Sequence, residues 1–204
     1  MNDQIPTGDG PARRFGSRDL ALVAVFVGVM AALGLVPALY PFGGAVPITA
    51  QSMGVMLVGA VLGSRRAGLT MLVFLALVAM GLPLLAGGVG GLGAFATPRV
   101  GFLVGFPVAA YVVGWISERG GPAYKLHWGV VANIVGGIVV LYLFGIAGIA
   151  LMARISVEAA VVSTWVFIPG DLVKAVLAAL VARGVHQGYP GLLARRKDRE
   201  LAGV

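Results

Sequence analysis

The chain has 204 residues, of which 59% are hydrophobic, 11% are charged and none is cysteine. A soluble domain runs at about 25% charged residues, so this chain has too few charges to face water all round, and disulfides and thiolate metal sites are excluded. The formal charge of +7 is read by its position along the chain, because in an apolar chain distribution carries more meaning than total.

A bilayer core about 30 Å thick takes about 20 residues of helix, so apolar runs of that length are expected, and they are present. Residues 1–18 are polar and contain Gly and Pro, and they are expected to be a disordered cytoplasmic segment. The apolar run behind them is longer than the roughly 7–15-residue core of a secretory signal, and further runs follow. Arg13 and Arg14 are expected to orient the first helix.

The first span is 20–39, in which Ala24, Gly28 and Ala32 recur every four residues. Such a stripe lets another helix pack closely, within the bundle or in a partner subunit. The connection PALYPFGGAVPITAQS (37–52) sets Tyr40 and Phe42 among prolines and glycines, then delivers Thr49 and Gln51 to the head of a shorter second run, 48–62. The third span, 67–85, runs into LLAGGVGGLGAFATP (84–98). The fourth, 100–117, and the fifth, 128–153, follow, the fifth carrying Asn133 and Tyr142. The sixth, 159–181, is interrupted by Pro169, Gly170 and Asp171, and a basic tail occupies 188–204. Gly59/Gly63 and Gly101/Gly105 repeat the small-residue spacing. A membrane β-barrel would need short alternating segments, whereas these runs are continuously apolar. The expected fold is an all-α membrane protein, six transmembrane helices in one compact bundle over 19–187.

Numbering the spans places twelve of the fifteen Lys and Arg on the side of the N-terminus, with Arg99 and Arg154 opposite and Lys174 inside a span. The positive-inside rule then puts both termini in the cytoplasm of a multi-pass cell-membrane protein. ARRKDRE in the tail reads as an anchor to anionic lipid rather than a nucleic-acid patch.

Gly88-Val-Gly90-Gly-Leu-Gly93 spells G-x-G-x-x-G. That fingerprint has meaning only between a strand and a helix, with an acidic residue about twenty positions on. Here it joins two spans on the outer side with neither feature, so the dinucleotide reading fails. Glycine also lets backbone approach a ligand without side-chain bulk, and irregular backbone at membrane depth lines a cavity or lies buried in protein. The loop is therefore expected to wall a pocket, with a flexible tether as the alternative.

Asp171 and Lys174 form the sole opposite-charge pair inside a span and share a helix face. Intramembrane charges usually face an interior or a cavity. The pair is read as an acceptor and a donor for a ligand, or as a self-neutralising tie in the bundle. Pro169 suits a first helical turn, where Asp171 would be favoured by the helix dipole. Asn133 reads as an interhelical hydrogen bond ahead of a ligand contact, while Tyr142 fits either core or pocket. No P-loop, no Ser/His or Cys/His pair at membrane depth and no metal-ligand spacing occurs, so binding and transport are favoured over catalysis.

VPITAQSMGVMLVGAVLG (46–63), GLPLLAGGVGGLGAFATP (81–98), VGFLVGFP (100–107) and FIPGDLVKAVLA (167–178) resemble, in order, the BioY family, over about residues 18 to 186. Its members are the biotin-binding S components of energy-coupling factor (ECF) transporters. The resemblance implies a six-helix membrane fold with an outward pocket, working beside a coupling transmembrane subunit and two ABC-type ATPases. It implies no cofactor of the chain's own, biotin being the cargo.

The family's G-D-x-x-K element maps onto Gly170, Asp171 and Lys174, and its P-I-T-x-Q element onto Pro47, Ile48, Thr49 and Gln51. The resemblance further implies that Tyr142 and the loop glycines Gly87, Gly88, Gly90 and Gly91 enclose the ligand, and that Ala24, Gly28 and Ala32 meet the coupling subunit. Where the family commonly reads P-T-G-G, this chain has Pro98-Arg99-Val100-Gly101, so Arg99 is expected to meet the biotin carboxylate at the pocket mouth. Residues 87–93 carry no polar side chain. Two other readings remain open: a stand-alone proton-coupled carrier with Asp171 and Lys174 as relay, and a membrane scaffold in which the pair is glue.

Overall fold

The computed structural model describes residues 15–39, 46–121, 123–190 and 192–193. Most of the N-terminal segment, most of the basic tail, Tyr40 and Phe42 lie outside the described residues. Within them the chain is helical, with only isolated bridges at Leu39–Ile48 and Leu85–Val89 in place of strands.

Helix α1 is Ser17–Gly34, α2 Gln51–Leu62, α3 Ser64–Ala79 and α4 Val100–Arg119. Helix α5 runs over Leu126–Ala153 and α6 over Val157–Gly188. Among the described residues, α1, α4, α5 and α6 are long and apolar enough to cross a membrane. The second and third runs yield shorter helices of 12 and 16 residues. Breakers explain both differences. Pro47 and its neighbours stay non-helical ahead of α2, and α3 stops where Gly81 takes φ +108° just before Pro83. Hydropathy alone counts such residues as part of a span.

Helix α6 begins at Val157, ahead of its apolar run, where Ser156 caps it, its hydroxyl accepting the N–H of Ala159 at 3.2 Å. It passes Pro169 by tightening into a 3-10 turn at Trp165–Phe167, after which an α-helical segment restarts at Ile168 with Pro169 and Asp171 in its first turn. Helix α5 widens into a π-helical stretch over Asn133–Val140. There Asn133 donates to the carbonyl of Ala175 in α6 at 2.8 Å, the interhelical bond expected of it.

Small residues set the packing around α4, which contacts α2, α3 and α5. A methyl on Gly59 would run into Val113 and the Ala110 carbonyl, and one on Gly101 or Gly105 into Phe144 of α5. These glycines allow backbones to approach in the way small-residue spacing predicts. Ala24, Gly28 and Ala32 behave differently: all are exposed, and nothing lies within 4 Å of a Cβ built on Gly28. That stripe faces away from the bundle.

One end of the bundle is tied by polar contacts. Arg66 bridges Asp19 at 2.7 Å and donates to the Leu192 carbonyl at 2.7 Å. At the α2–α3 turn, where Gly63 takes φ +78°, the N–H of Ser64 donates to Glu118 at 2.8 Å. Trp128 donates to the Ile116 carbonyl at 2.8 Å, and Tyr124 stacks on His186 with ring centroids 4.8 Å apart. Burial pushes the Tyr124 phenol up to about 12, so it stays neutral at this end.

Gly101→Val forces a branched side chain between α4 and α5, and overpacking of this kind costs about 1–3 kcal/mol. Its melting temperature in detergent is expected to fall clearly, whereas Gly28→Ala, pointing into open space, leaves the melt unchanged.

Candidate functional site

Helix α2 leaves the tied end at Leu62 and begins, at the other end, on a cavity. The space there is about 650 Å³, counted out into the solvent at its open mouth. Phe102 and Phe106 of α4, Leu141 of α5 and Phe167 of α6 supply apolar wall. Phe102 stands edge-on to Tyr142 and Phe167, with ring centroids 6.2 and 6.4 Å away. Edge-to-face rings of this kind hold each other in place.

The polar side is built by three helices. The 3-10 turn and Pro169 deliver Asp171 to the first turn of the α-helical part of α6, and Lys174 follows on the same face. Asp171 is 4% exposed. Its Oδ1 accepts from Lys174 Nζ at 2.8 Å and from the Ser52 hydroxyl at 3.1 Å, and its Oδ2 accepts from the Tyr142 hydroxyl at 2.8 Å. Lys174 donates further to the Thr49 carbonyl at 2.8 Å and to Ser52 Oγ at 3.0 Å. An ammonium has three hydrogens, and here each has an acceptor. The Ser52 hydroxyl, with one proton, also lies 3.3 Å from the Thr49 carbonyl. The shorter approach and the ionised acceptor favour Asp171.

Six of the sequence-predicted residues meet at this cavity: Asp171, Lys174, Tyr142, Thr49, Gln51 and Arg99. Thr49 acts through its backbone carbonyl toward Lys174. Both ends of the Gln51 amide are bonded to backbone. Arg99 sits at the N-cap of α4, its Nε buried and without a hydrogen-bond partner among the described residues.

The glycine-rich connection contributes Leu85 and Ala86 to the wall. Gly87, Gly88, Gly90 and Gly91 lie outside that lining. Gly87, Gly88 and Gly91 hold φ of +83°, +70° and +79°, and a methyl on Gly90 would strike the Leu82 carbonyl. Their lack of a side chain serves the turn itself.

Sequence reasoning missed Ser52 and the phenylalanines. Ser52 stands beside Gln51 in the same polar cluster, a signal that was available. Phe102 and Phe106 are four apart, which reads equally well as ordinary core.

The profile of the BioY family matches residues 6–191. The chain belongs to the BioY family. It is similar, at 49% identity over 185 residues, to the biotin transporter BioY of Rhizobium etli, covering 88% of this chain and 98% of that one. At 48% identity over 191 residues it is similar to the biotin transporter BioY of Rhodobacter capsulatus, again covering 88% and 98%. The crystal structure of the S-component for biotin from an ECF-type ABC transporter matches with a TM-score of 0.79 and 26% identity, over 85% of this chain and 95% of that one. A BioY family member is a membrane transport protein, in keeping with the four apolar helices of crossing length among the described residues.

Removing one member of a buried ion pair leaves the other uncompensated, at about 3–5 kcal/mol, while removing both charges is far milder. Lys174→Met is therefore expected to melt well below the parent protein in detergent. The double variant Asp171→Asn, Lys174→Met is expected to recover most of that loss.

Proposed function

We propose that this chain is the biotin-capturing membrane subunit of an ATP-driven, ECF-type importer. The observation that carries the reading is Asp171, a buried carboxylate held by Lys174, Ser52 and Tyr142 in an aromatic-walled cavity at the end of the bundle away from the polar ties. Basic residues mark the tied end, with Arg18, Arg65, Arg119 and Lys125 all at helix ends there. By the positive-inside rule that end is cytoplasmic, so the cavity opens outward. The six helices are then read as six passes of the membrane, α2 and α3 together with their flanking non-helical segments completing two of them.

Biotin offers ureido N–H donors, an apolar bicyclic ring, a valerate chain and a carboxylate. A carboxylate has about four lone-pair positions, and Asp171 accepts three bonds within the chain. The remaining one takes a ureido N–H. Lys174 fixes Asp171 rather than reaching the ligand, since its own hydrogens are all occupied. The phenylalanines enclose ring and chain, and Arg99, with its free Nε, meets the carboxylate.

The sequence has no P-loop, so ATP hydrolysis falls to partner ATPases working through a coupling transmembrane subunit. The outward stripe of Ala24, Gly28 and Ala32 is the contact for that subunit.

Calorimetric titration of biotin into ligand-stripped protein in detergent tests this directly. Tight binding without ATP is expected, weakened at least a hundredfold in Asp171→Asn, the order of about 3 kcal/mol lost with a charged hydrogen bond. No heat from folded parent protein would sink the biotin reading. Uptake by the chain alone, driven by a pH gradient in proteoliposomes, would favour a proton-coupled carrier instead.

Arg99 is tested by ligand choice. Arg99→Gln is expected to weaken biotin about tenfold to a hundredfold and to leave the affinity for biotin methyl ester unchanged. Equal losses for acid and ester would remove Arg99 from the carboxylate.

A further inference from the structure

Gln51 borders the cavity and is 2% exposed, yet every polar atom of its side chain is committed elsewhere. Its Nε2 donates to the Leu84 carbonyl at 2.9 Å and to the Met30 carbonyl at 3.2 Å, and its Oε1 accepts the N–H of Ala86 at 3.1 Å. One side chain at the head of α2 thus holds the last turns of α1 and the connection that follows α3. A primary amide supplies two donors and an acceptor together. Glutamate would turn an acceptor toward the carbonyls of Met30 and Leu84, and asparagine is one methylene short.

The neighbouring backbone is shaped around this junction. Gly34, at the end of α1, has no room for a side chain: a methyl there would strike the Leu84 carbonyl and stand 3.1 Å from Gln51 Nε2. Beyond the junction the connection is bonded to itself. Leu85 and Val89 exchange N–H···O bonds of 3.0 and 3.2 Å, and Gly88 donates to the Leu85 carbonyl at 3.0 Å. The N–H of Gly91 donates to the Val78 carbonyl of α3 at 2.7 Å. The turn is therefore one small unit, hung from α3 on one side and fastened on the other through Gln51. The two residues it presents to the cavity, Leu85 and Ala86, flank and include that fastening.

We infer that Gln51 is a positioning residue, a latch that holds the Leu85–Ala86 wall closed over the cavity and sets how often the ligand enters and leaves, without itself contacting the ligand. The kinetic consequence rests on the biotin reading, whereas the latch itself does not. When the latch is cut, the turn swings on its α3 attachment as a unit. A gate that opens more often speeds passage in both directions, while loss of a ligand contact speeds release alone.

Two variants cut the latch from opposite sides: Gln51→Met, which keeps length and loses the amide, and Gly34→Ala, which keeps Gln51 and displaces the Leu84 carbonyl. Amide hydrogen exchange on ligand-free protein in nanodiscs needs no biotin. Exchange over residues 84–89 is expected to rise about tenfold, the loss of one or two net hydrogen bonds, with α4, α5 and α6 unchanged. Stopped-flow biotin binding is expected to show kon and koff rising together, koff by about tenfold, whereas Asp171→Asn raises koff only.

Unchanged exchange over 84–89 in both variants would overturn the latch, as would a rise spread evenly over every helix. A rise in koff with kon unchanged in Gln51→Met would make Gln51 a ligand contact and overturn it too. Failure of the parent protein to bind biotin would sink the functional reading and leave the exchange result to decide the latch alone.

Discussion

A carboxylate without water is the constraint on which this architecture turns. Taking an ion such as Asp171 out of solvent carries an effective penalty of several kcal/mol even in a relaxed protein, and α6 has no means of meeting it alone. Lys174 brings the opposite charge from the same helix, Ser52 comes from α2 and Tyr142 from α5. Lys174 in turn engages the Thr49 carbonyl, in the non-helical chain just ahead of α2. The one charge therefore fixes three helices and the entry to one of them. Breaking any of these links leaves a buried group short of a partner, so the network orders the cavity as well as lining it.

The two ends of the bundle solve different problems with different chemistry. At the tied end Arg66, Asp19, Glu118 and Ser64 close on one another, and the helices pack to contact. Gly59, nearer the tied end, and Gly101 and Gly105, nearer the cavity, let α4 approach its neighbours. Toward the open end bulky rings stand beside the glycines: Phe102 and Phe106 lie on the same helix as Gly101 and Gly105, a residue further on in each case. Alternation of nothing and a phenyl ring along one helix yields close packing on one face and a walled space on another.

Much of this was legible in the sequence, and what was not follows from how sequence signals arise. Spans are read from apolar runs, and α4 and α5 match theirs closely, α4 continuing through Pro107 in its interior. Helix α3 is shorter than its run because Gly81 and Pro83 leave the run uncharged while ending a helix. Asp171 and Lys174 stood out through rarity, which is a property of composition and survives folding.

The glycine-rich connection stands out in the sequence, but which of its residues line the cavity does not. A turn has no period, so nothing in LLAGGVGGLG tells which side chains face inward, and the wall proved to be Leu85 and Ala86. Gln51 shows the same limit from the other direction. A polar residue beside a pocket reads as a ligand contact until its partners are seen, and all of them are main-chain groups.

That distinction between filled and unfilled polar capacity is what narrows the chemistry of the cavity. Gln51 and Lys174 have each donor occupied, so neither has a hydrogen left for a ligand while its present bonds last. Asp171 accepts three bonds and retains room for one more. Arg99 keeps an Nε–H with no partner among the described residues. Asp171 and Arg99 thus keep an acceptor and a cationic donor at a cavity whose wall includes Phe102, Phe106, Phe167, Leu141, Leu85 and Ala86. A complementary molecule carries an N–H donor, an apolar body and an anionic group. A sugar would leave most of its hydroxyls facing phenyl rings, and a plain fatty acid would leave the fourth position on Asp171 empty. The proposal of biotin rests on this match: a ureido N–H for Asp171, a carboxylate for Arg99 and an apolar body for the rings.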